Sequence, residues 1–232
     1  LALRVPHTPM PRRQGPFRPD VIGALLFGAG TATLLYALSS GGHRYAWQSW
    51  PMAAFAVVAV LAFVLLFIWE RGHHDPVIPV HLLRMPAIAR SDAVVMCFGA
   101  ALFSVVLYLP LYLQLGRGVG IGASGLLLLP VTLAQVVSAV VTGRLVTHTG
   151  HVNIFPLAGL TLATIAFLGL AATVAGAPTA VVTALTMLVG VGLGMVMPPT
   201  QVTVQLAAGR KALGVATATI SLSRAIGGAA GV

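Results

Sequence analysis

Apolar runs, all but the last free of charge, alternate along the chain with short clusters of Arg, Pro, Gly and polar residues. Seven runs stand out: Val21–Leu38, Trp50–Trp69, Ala93–Leu115, Ile121–Val141, Phe155–Val174, Thr179–Met197, and a seventh from near Gly214 to Val232. Trp50–Trp69 carries no charge and is long enough, at about 1.5 Å per residue, to cross a hydrocarbon core of about 30 Å. A backbone in lipid must satisfy its own hydrogen bonds, and unbroken runs of this length do so as helices. The two-residue alternation of a barrel strand is absent. The pattern predicts an all-α membrane protein with about seven transmembrane helices.

Composition narrows the picture. Of 232 residues, 58% are hydrophobic and 7% charged, against about 25% charged in soluble domains. A single cysteine, Cys97, excludes an internal disulfide framework and a cysteine-ligated metal cluster. The net charge of +9 is not a nucleic-acid footprint, because no basic patch is interleaved with aromatics. The basic residues collect instead in alternate connections. One set holds Arg4, Arg12, Arg13, Arg18, Arg71, Arg84, Arg90, Arg144, Arg210 and Lys211; the other holds Arg44 and Arg117. This bias places the N-terminal segment in the cytoplasm of a multi-pass protein of the cell (inner) membrane. Trp47 and Trp50 at one end of the second run and Trp69 at the other suit an interfacial belt. Residues 1–19, with five prolines and four arginines, read as a cytoplasmic linker and lack the apolar core of a signal peptide. Twelve arginines to one lysine point to a GC-rich bacterial genome. The chain starts at Leu1 and stops at Val232 within an apolar run, which reads as a fragment.

Candidate chemistry is sparse. Arg224 falls deep in the seventh run, where a charge costs at least about 2.5–3.5 kcal/mol. With Thr217, Ser221, Gly228 and Gly231 it forms a polar, small-residue stripe that should face a bundle or a water-filled cavity. Ala218, Leu222 and Ile226 are left for lipid. Arg224 is then either a substrate-path or gating charge, or a structural Arg satisfied by carbonyls or by an acid on another helix. Gly190 and Gly194, and Gly227 and Gly231, form GxxxG steps for close helix packing. Gly192 and Gly228 lie beside them. Pro110, Pro130 and Pro156 lie where a helix would kink. Asp92, next to Ser91, is expected at the cytoplasmic start of the third helix, as a cap or as a proton relay. Gly122-Ala123-Ser124-Gly125 resembles an intramembrane serine-protease motif, but the histidines at 7, 43, 73, 74, 81, 148 and 151 fall in loops or at helix ends, leaving no base at its depth. His73-His74-Asp75 reads as a solvated loop. No enzyme, cofactor or metal site is expected.

Several motifs together resemble one family. Phe17 followed by Asp20-Val21-Ile22-Gly23, then Glu70, Pro76, Pro79 and Leu83-Arg84, then Tyr108-Leu109-Pro110-Leu111-Tyr112-Leu113-Gln114, Ser124-Gly125-Leu126 through Leu129-Pro130, and Gly143-Arg144-Leu145 with Gly150 are similar to the fourteen-span drug/proton antiporters of the major facilitator superfamily, the EmrB/QacA type. The resemblance implies a partial major-facilitator fold. Residues 20–70 would be a helix pair inserted between two halves, and 71–90 a cytoplasmic loop. Residues 91–232 would be five of the six helices of the C-terminal half. The N-terminal half would be missing. Substrate would lie near the midplane between the halves, with Tyr108, Gln135, Ser138, Ser221 and Arg224 on the wall this chain supplies. Tyr112 and Gln114 would sit near an interface, and Gly143, Arg144, Leu145 and Gly150 would form a cytoplasmic gating loop. Thr147 and His148 depart from the family's charged pattern there. The implied partners are the bilayer, a lipophilic or amphiphilic small molecule, protons and the absent half. The implied function is proton-coupled multidrug efflux by alternating access. A non-transporting scaffold or transporter remnant is the alternative. A seven-helix receptor would need the opposite orientation.

Overall fold

A computed structural model describes residues 20–42, 44–70, 85–173, 176–209 and 212–232. The expected linker 1–19, the greater part of the 71–90 loop with His73, His74 and Asp75, and the basic pair Arg210 and Lys211 lie outside the described residues, as do the side chain of Glu70 and the histidines at 7, 43 and 81. Nine helices follow one another among the described residues: α1 (Val21–Ser40), α2 (Trp50–Glu70), α3 (Pro86–Leu111), α4 (Ile121–Leu126), α5 (Leu129–Thr149), α6 (Ile154–Thr173), α7 (Thr179–Gly194), α8 (Met197–Ala208) and α9 (Leu213–Ala230). Among the described residues six stretches are long and apolar enough to span a membrane: Val21–Ser40, Trp50–Trp69, Pro86–Gly116, Ile121–Thr149, Ile154–Thr173 and Thr179–Ala208; α9, the seventh expected span, is not one of them. The chain is an α-helical, multi-pass membrane protein.

The α1–α2 pair is a hairpin closed at both ends. At one end Asp20 caps α1: its Oδ1 accepts from the Gly23 amide at 2.8 Å and from Trp69 Nε1 at 3.0 Å. At the other, Tyr36 meets Phe55 edge-on at 5.1 Å between centroids. Between them α2 turns only a narrow stripe inward, Met52, Ala59, Ala62 and Leu66. Ala54, Phe55 and Phe63 are half-buried beside that stripe, and most of the remaining side chains of α2 are apolar and exposed, as suits a lipid-facing helix.

Helices α3–α9 pack differently. Lipid gives apolar side chains little reason to prefer protein, so close backbone approach carries the contact. α9 lies along α3, and a methyl added at Gly227 or Gly231 would collide with the backbone of Met96 or Ala100. α7 is wedged between α5 and α6. Gly190 and Gly194 face the carbonyls of Val131 and Gln135 on one side, and Gly192 faces that of Gly159 on the other.

The sixth expected span, Thr179–Met197, is α7 and the turn that ends it, and a second helix, α8, follows within the apolar stretch Thr179–Ala208. Pro198 and Pro199 supply no N–H to continue α7, so the chain turns at Met195–Val196 and restarts as α8. α7 helps build one core with Phe98, Val131, Ala166 and Leu193, and α8 a second with Ile88, Val95, Val204 and Ile220. The fourth span is also interrupted, by a turn at Leu127–Leu128 before Pro130.

Candidate functional site

Arg224 sits in the middle of α9, on the turn where the close approach of α3 puts Gly99 against the Arg224 carbonyl. Its side chain is exposed and makes no hydrogen bond or ion pair to another described residue. The neighbouring hydroxyls are already committed: Thr217 donates to the carbonyls of Leu213 and Gly214, and Ser221 to that of Thr217. Arg224 is therefore the side chain on this face with uncommitted donors. The polar stripe expected from the sequence divides in two. Ser221 and Arg224 stay uncovered, while Gly228 and Gly231 turn into the α3 seam. Ala218 is exposed, but Leu222 and Ile226, expected to face lipid, are half-buried.

Asp92 is not the helix cap that its position suggested. α3 starts at Pro86 with Met85 as its N-cap, so Asp92 lies in the second turn. Proline is tolerated in a first helical turn, so the helix begins there despite Arg90 and the polar Ser91-Asp92 pair. The Asp92 carboxylate faces the Ser223 side chain of α9, and its Oδ1 is buried without a hydrogen-bond partner. The seam of α3 and α9 thus holds the acid and a hydroxyl, while the Arg224 side chain, one residue on, stays on the uncovered face.

The remaining expected wall residues separate. Ser138 is buried, and its Oγ donates to the Val191 carbonyl at 2.7 Å. This is an α5–α7 contact and removes Ser138 from the open wall. Gln135 is half-buried, with its carbonyl against Gly194. The Tyr108 hydroxyl donates to the Val232 carbonyl at 2.5 Å, and Ser104 Oγ to that of Gly231 at 2.6 Å. Tyr108, Ser104 and Tyr112 also line a cleft of about 300 Å³ completed by Phe167 and Leu170 of α6 and Thr186 of α7.

Beyond Pro110 the third helix loosens into a π-helical turn, Tyr112–Gly116. Gln114 Nε2 donates to Ser124 Oγ at 2.8 Å, and Ser124 donates to the Ile121 carbonyl at 2.8 Å. The hydroxyl of the Gly122–Gly125 motif is thus a corner brace between α3 and α4. The Gly143, Arg144 and Leu145 motif is not a loop. α5 continues past Val141 to Thr149, and only Gly150, at φ +70°, forms the turn. The polar residues after Val141 end the apolar run without ending the helix. Arg144 is exposed there, and its carbonyl accepts from Thr147 Oγ1 at 2.7 Å.

Sequence reasoning passed over Ser223 and Ser104. Each is a small hydroxyl residue in a largely apolar helix, and only the facing element reveals what it meets. Arg117 was counted only as a loop charge, although its hydrogen bonds reach two elements.

The sequence matches the family description Major Facilitator Superfamily over residues 15–232. It is 26% identical over 221 residues to the multidrug transporter protein MdtP of Bacillus subtilis, covering 95% of this chain and 41% of that protein. An uncharacterized MFS-type transporter of Mycobacterium tuberculosis is 30% identical over 232 residues, covering 99% of this chain and 34% of its own length. The tetracycline resistance determinant of Streptomyces rimosus is 29% identical over 214 residues, covering 92% and 61% respectively. The chain thus spans less than two thirds of the length of each of these relatives.

Proposed function

The chain belongs to the major facilitator superfamily of membrane transporters and is not an enzyme, and from that premise we propose that it supplies one wall of the substrate cavity of a drug-exporting transporter. The names of the relatives support efflux, and their greater length supports a second half of the same protein facing this one. In this reading α1–α2 is the pair inserted between the halves in a fourteen-span protein, and α3–α9 belong to the C-terminal half. The N-terminal segment lies in the cytoplasm, and the protein resides in the inner membrane of a bacterium.

The observation that carries the reading is Arg224. In this reading α9 is a further membrane helix, and an exposed guanidinium within such a helix is tolerated when it faces water or a polar partner. The uncovered face it shares with Ser221 then lines a hydrated cavity, and Gln135 and Tyr108 extend the wall. A cation with no ion pair among the described residues favours neutral or anionic lipophilic substrates over cations.

Asp92 is the proton carrier in this reading. Its carboxylate touches α9 through Ser223, so gain or loss of a proton changes a contact on the helix that bears Arg224. Rocking of the two halves about the cavity would then join proton entry to export.

The test is efflux of several labelled compounds by cells expressing the full-length protein, its Arg224→Gln variant and its Asp92→Asn variant. The reading predicts that Asp92→Asn abolishes pH-gradient-driven efflux and that Arg224→Gln lowers it for acidic compounds most. Efflux unchanged by both substitutions, across acidic, neutral and basic compounds, contradicts it.

A further inference from the structure

The cleft between α3, α6 and α7 is bridged at one end by a single side chain. Arg117 follows the π turn of α3. Its Nε donates to Tyr112 Oη at 2.7 Å, its guanidinium lies 5.6 Å from the centroid of the Tyr112 ring, and its terminal nitrogen donates to the Ala177 carbonyl at 2.5 Å. Tyr112 forms the end of the α3 wall of the cleft. Ala177 lies two residues before α7, whose first turns supply Val182 and Thr186 to the opposite wall. Arg117 therefore joins the ends of the two walls. A π turn spaces side chains differently from an α-helix, and such turns recur at functional sites. Here the turn sits between Tyr112 and Arg117 and lets residues five apart meet. Gln114 and Ser124 pin the same turn to α4, so the α3 side of the bridge is held from two directions.

We infer that Arg117 is a bolt across the mouth of this cleft, which seals its apolar interior from the aqueous phase at that end of the bundle and releases it when the Tyr112 and Ala177 contacts break. Placing that end outside the cell rests on the orientation in the proposed function; the bolt itself does not. Arg suits the role because its rigid fork can hold a ring hydroxyl and a backbone carbonyl at once while stacking on the ring. Lysine can keep one such contact but not all three.

The experiment uses the full-length protein in its membrane, with Cys97→Ser to remove the native thiol and Thr186→Cys as reporter. Thr186 bonds only to carbonyls of its own helix, those of Val182 and Thr183, so cysteine fits without disturbing the cleft. A membrane-impermeant, charged thiol reagent is applied to intact cells and, separately, to inside-out vesicles. With Arg117 present the reporter reacts slowly. Arg117→Gln raises the rate about tenfold or more, as expected for losing hydrogen bonds to a charged donor. Arg117→Lys and Tyr112→Phe give intermediate rates. Total reactive thiol after solubilisation confirms that each variant is folded and present. Equal rates for the parent and Arg117→Gln from both sides overturn the bolt. A rise seen only in inside-out vesicles upholds it and overturns the orientation instead.

Discussion

The α1–α2 hairpin and the α3–α9 bundle are both built from apolar helices, yet different forces hold them. In the hairpin one stripe of α2 packs and the remaining sides face lipid, with a capped Asp20–Trp69 contact and an aromatic pair tying the ends. Gly28 of α1 has no atom within 4 Å of where a methyl would stand. In the bundle, Gly227, Gly231, Gly190 and Gly194 bring backbone against backbone. The hairpin also reaches the bundle chiefly through α1 against α9. Hydrophobic length alone therefore places a helix in the membrane, while small residues decide which helices move as one body. That division suits the proposed reading of a peripheral pair beside a cavity wall.

The comparison breaks most sharply at glycine. Gly227→Leu should separate α3 from α9 and abolish folded protein, measured as monodisperse material after solubilisation, whereas Gly28→Leu should leave yield unchanged. Gly227→Ala should cost about 1–3 kcal/mol as overpacking, read as a fall in thermal midpoint. Equal tolerance at the two sites would dissolve the distinction.

Next in size is Arg224→Gln. Removal of a charged donor from a cavity wall should reduce export of acidic compounds about tenfold or more while leaving the thermal midpoint unchanged. A large fall in stability with unaltered export by the surviving protein would make Arg224 a structural residue of the bundle.

Much of the architecture is legible in the sequence. Val21, Trp50, Phe155 and Thr179 each lie within a residue of the helix start, because the switch from turn residues to an uncharged run coincides with entry into lipid. The errors fall where polarity and helicity part company. Asp92 looked like a cap because hydropathy begins at Ala93, but the helix starts at Pro86. Gly143 and Arg144 looked like a loop because Val141 ends the apolar run, but the helix reaches Thr149. The sixth expected span stops at Met197, within three residues of the end of α7, but α8 is not assigned, because Thr200, Gln201, Thr203 and Gln205 interrupt its apolar pattern. Of the candidate site, Arg224 is legible as a charge within an otherwise uncharged apolar run. That Ser138 is spent on Val191 while Ser221 stays uncovered depends on which helix stands opposite, and a single sequence does not carry that.

Two smaller substitutions sharpen the contrast. Asp20→Ala removes a cap and the Trp69 acceptor, and should cost about 1 kcal/mol while loosening only the hairpin, seen as faster proteolysis between α1 and α2 with export intact. Ser138→Ala removes one interhelical hydrogen bond of the bundle and should cost about 0.6 kcal/mol, near the limit of a thermal shift. A larger effect at Ser138 than at Asp20 would mean that hydroxyl contacts rather than glycine seams set the α5–α7 interface.

The most direct test of the central claim compares water at Ser221 and at Leu61. In the full-length protein carrying Cys97→Ser, a cysteine is placed at Ser221 on the proposed cavity face or at Leu61 on the exposed side of α2, and the rate of reaction with a charged, water-soluble thiol reagent is measured with and without an exported compound. The account predicts that the Ser221 position reacts readily and is protected by the compound, while the Leu61 position stays unreactive in lipid. Two equally unreactive positions, or reaction at Ser221 that no exported compound slows, would contradict the assignment of this face to a transport cavity.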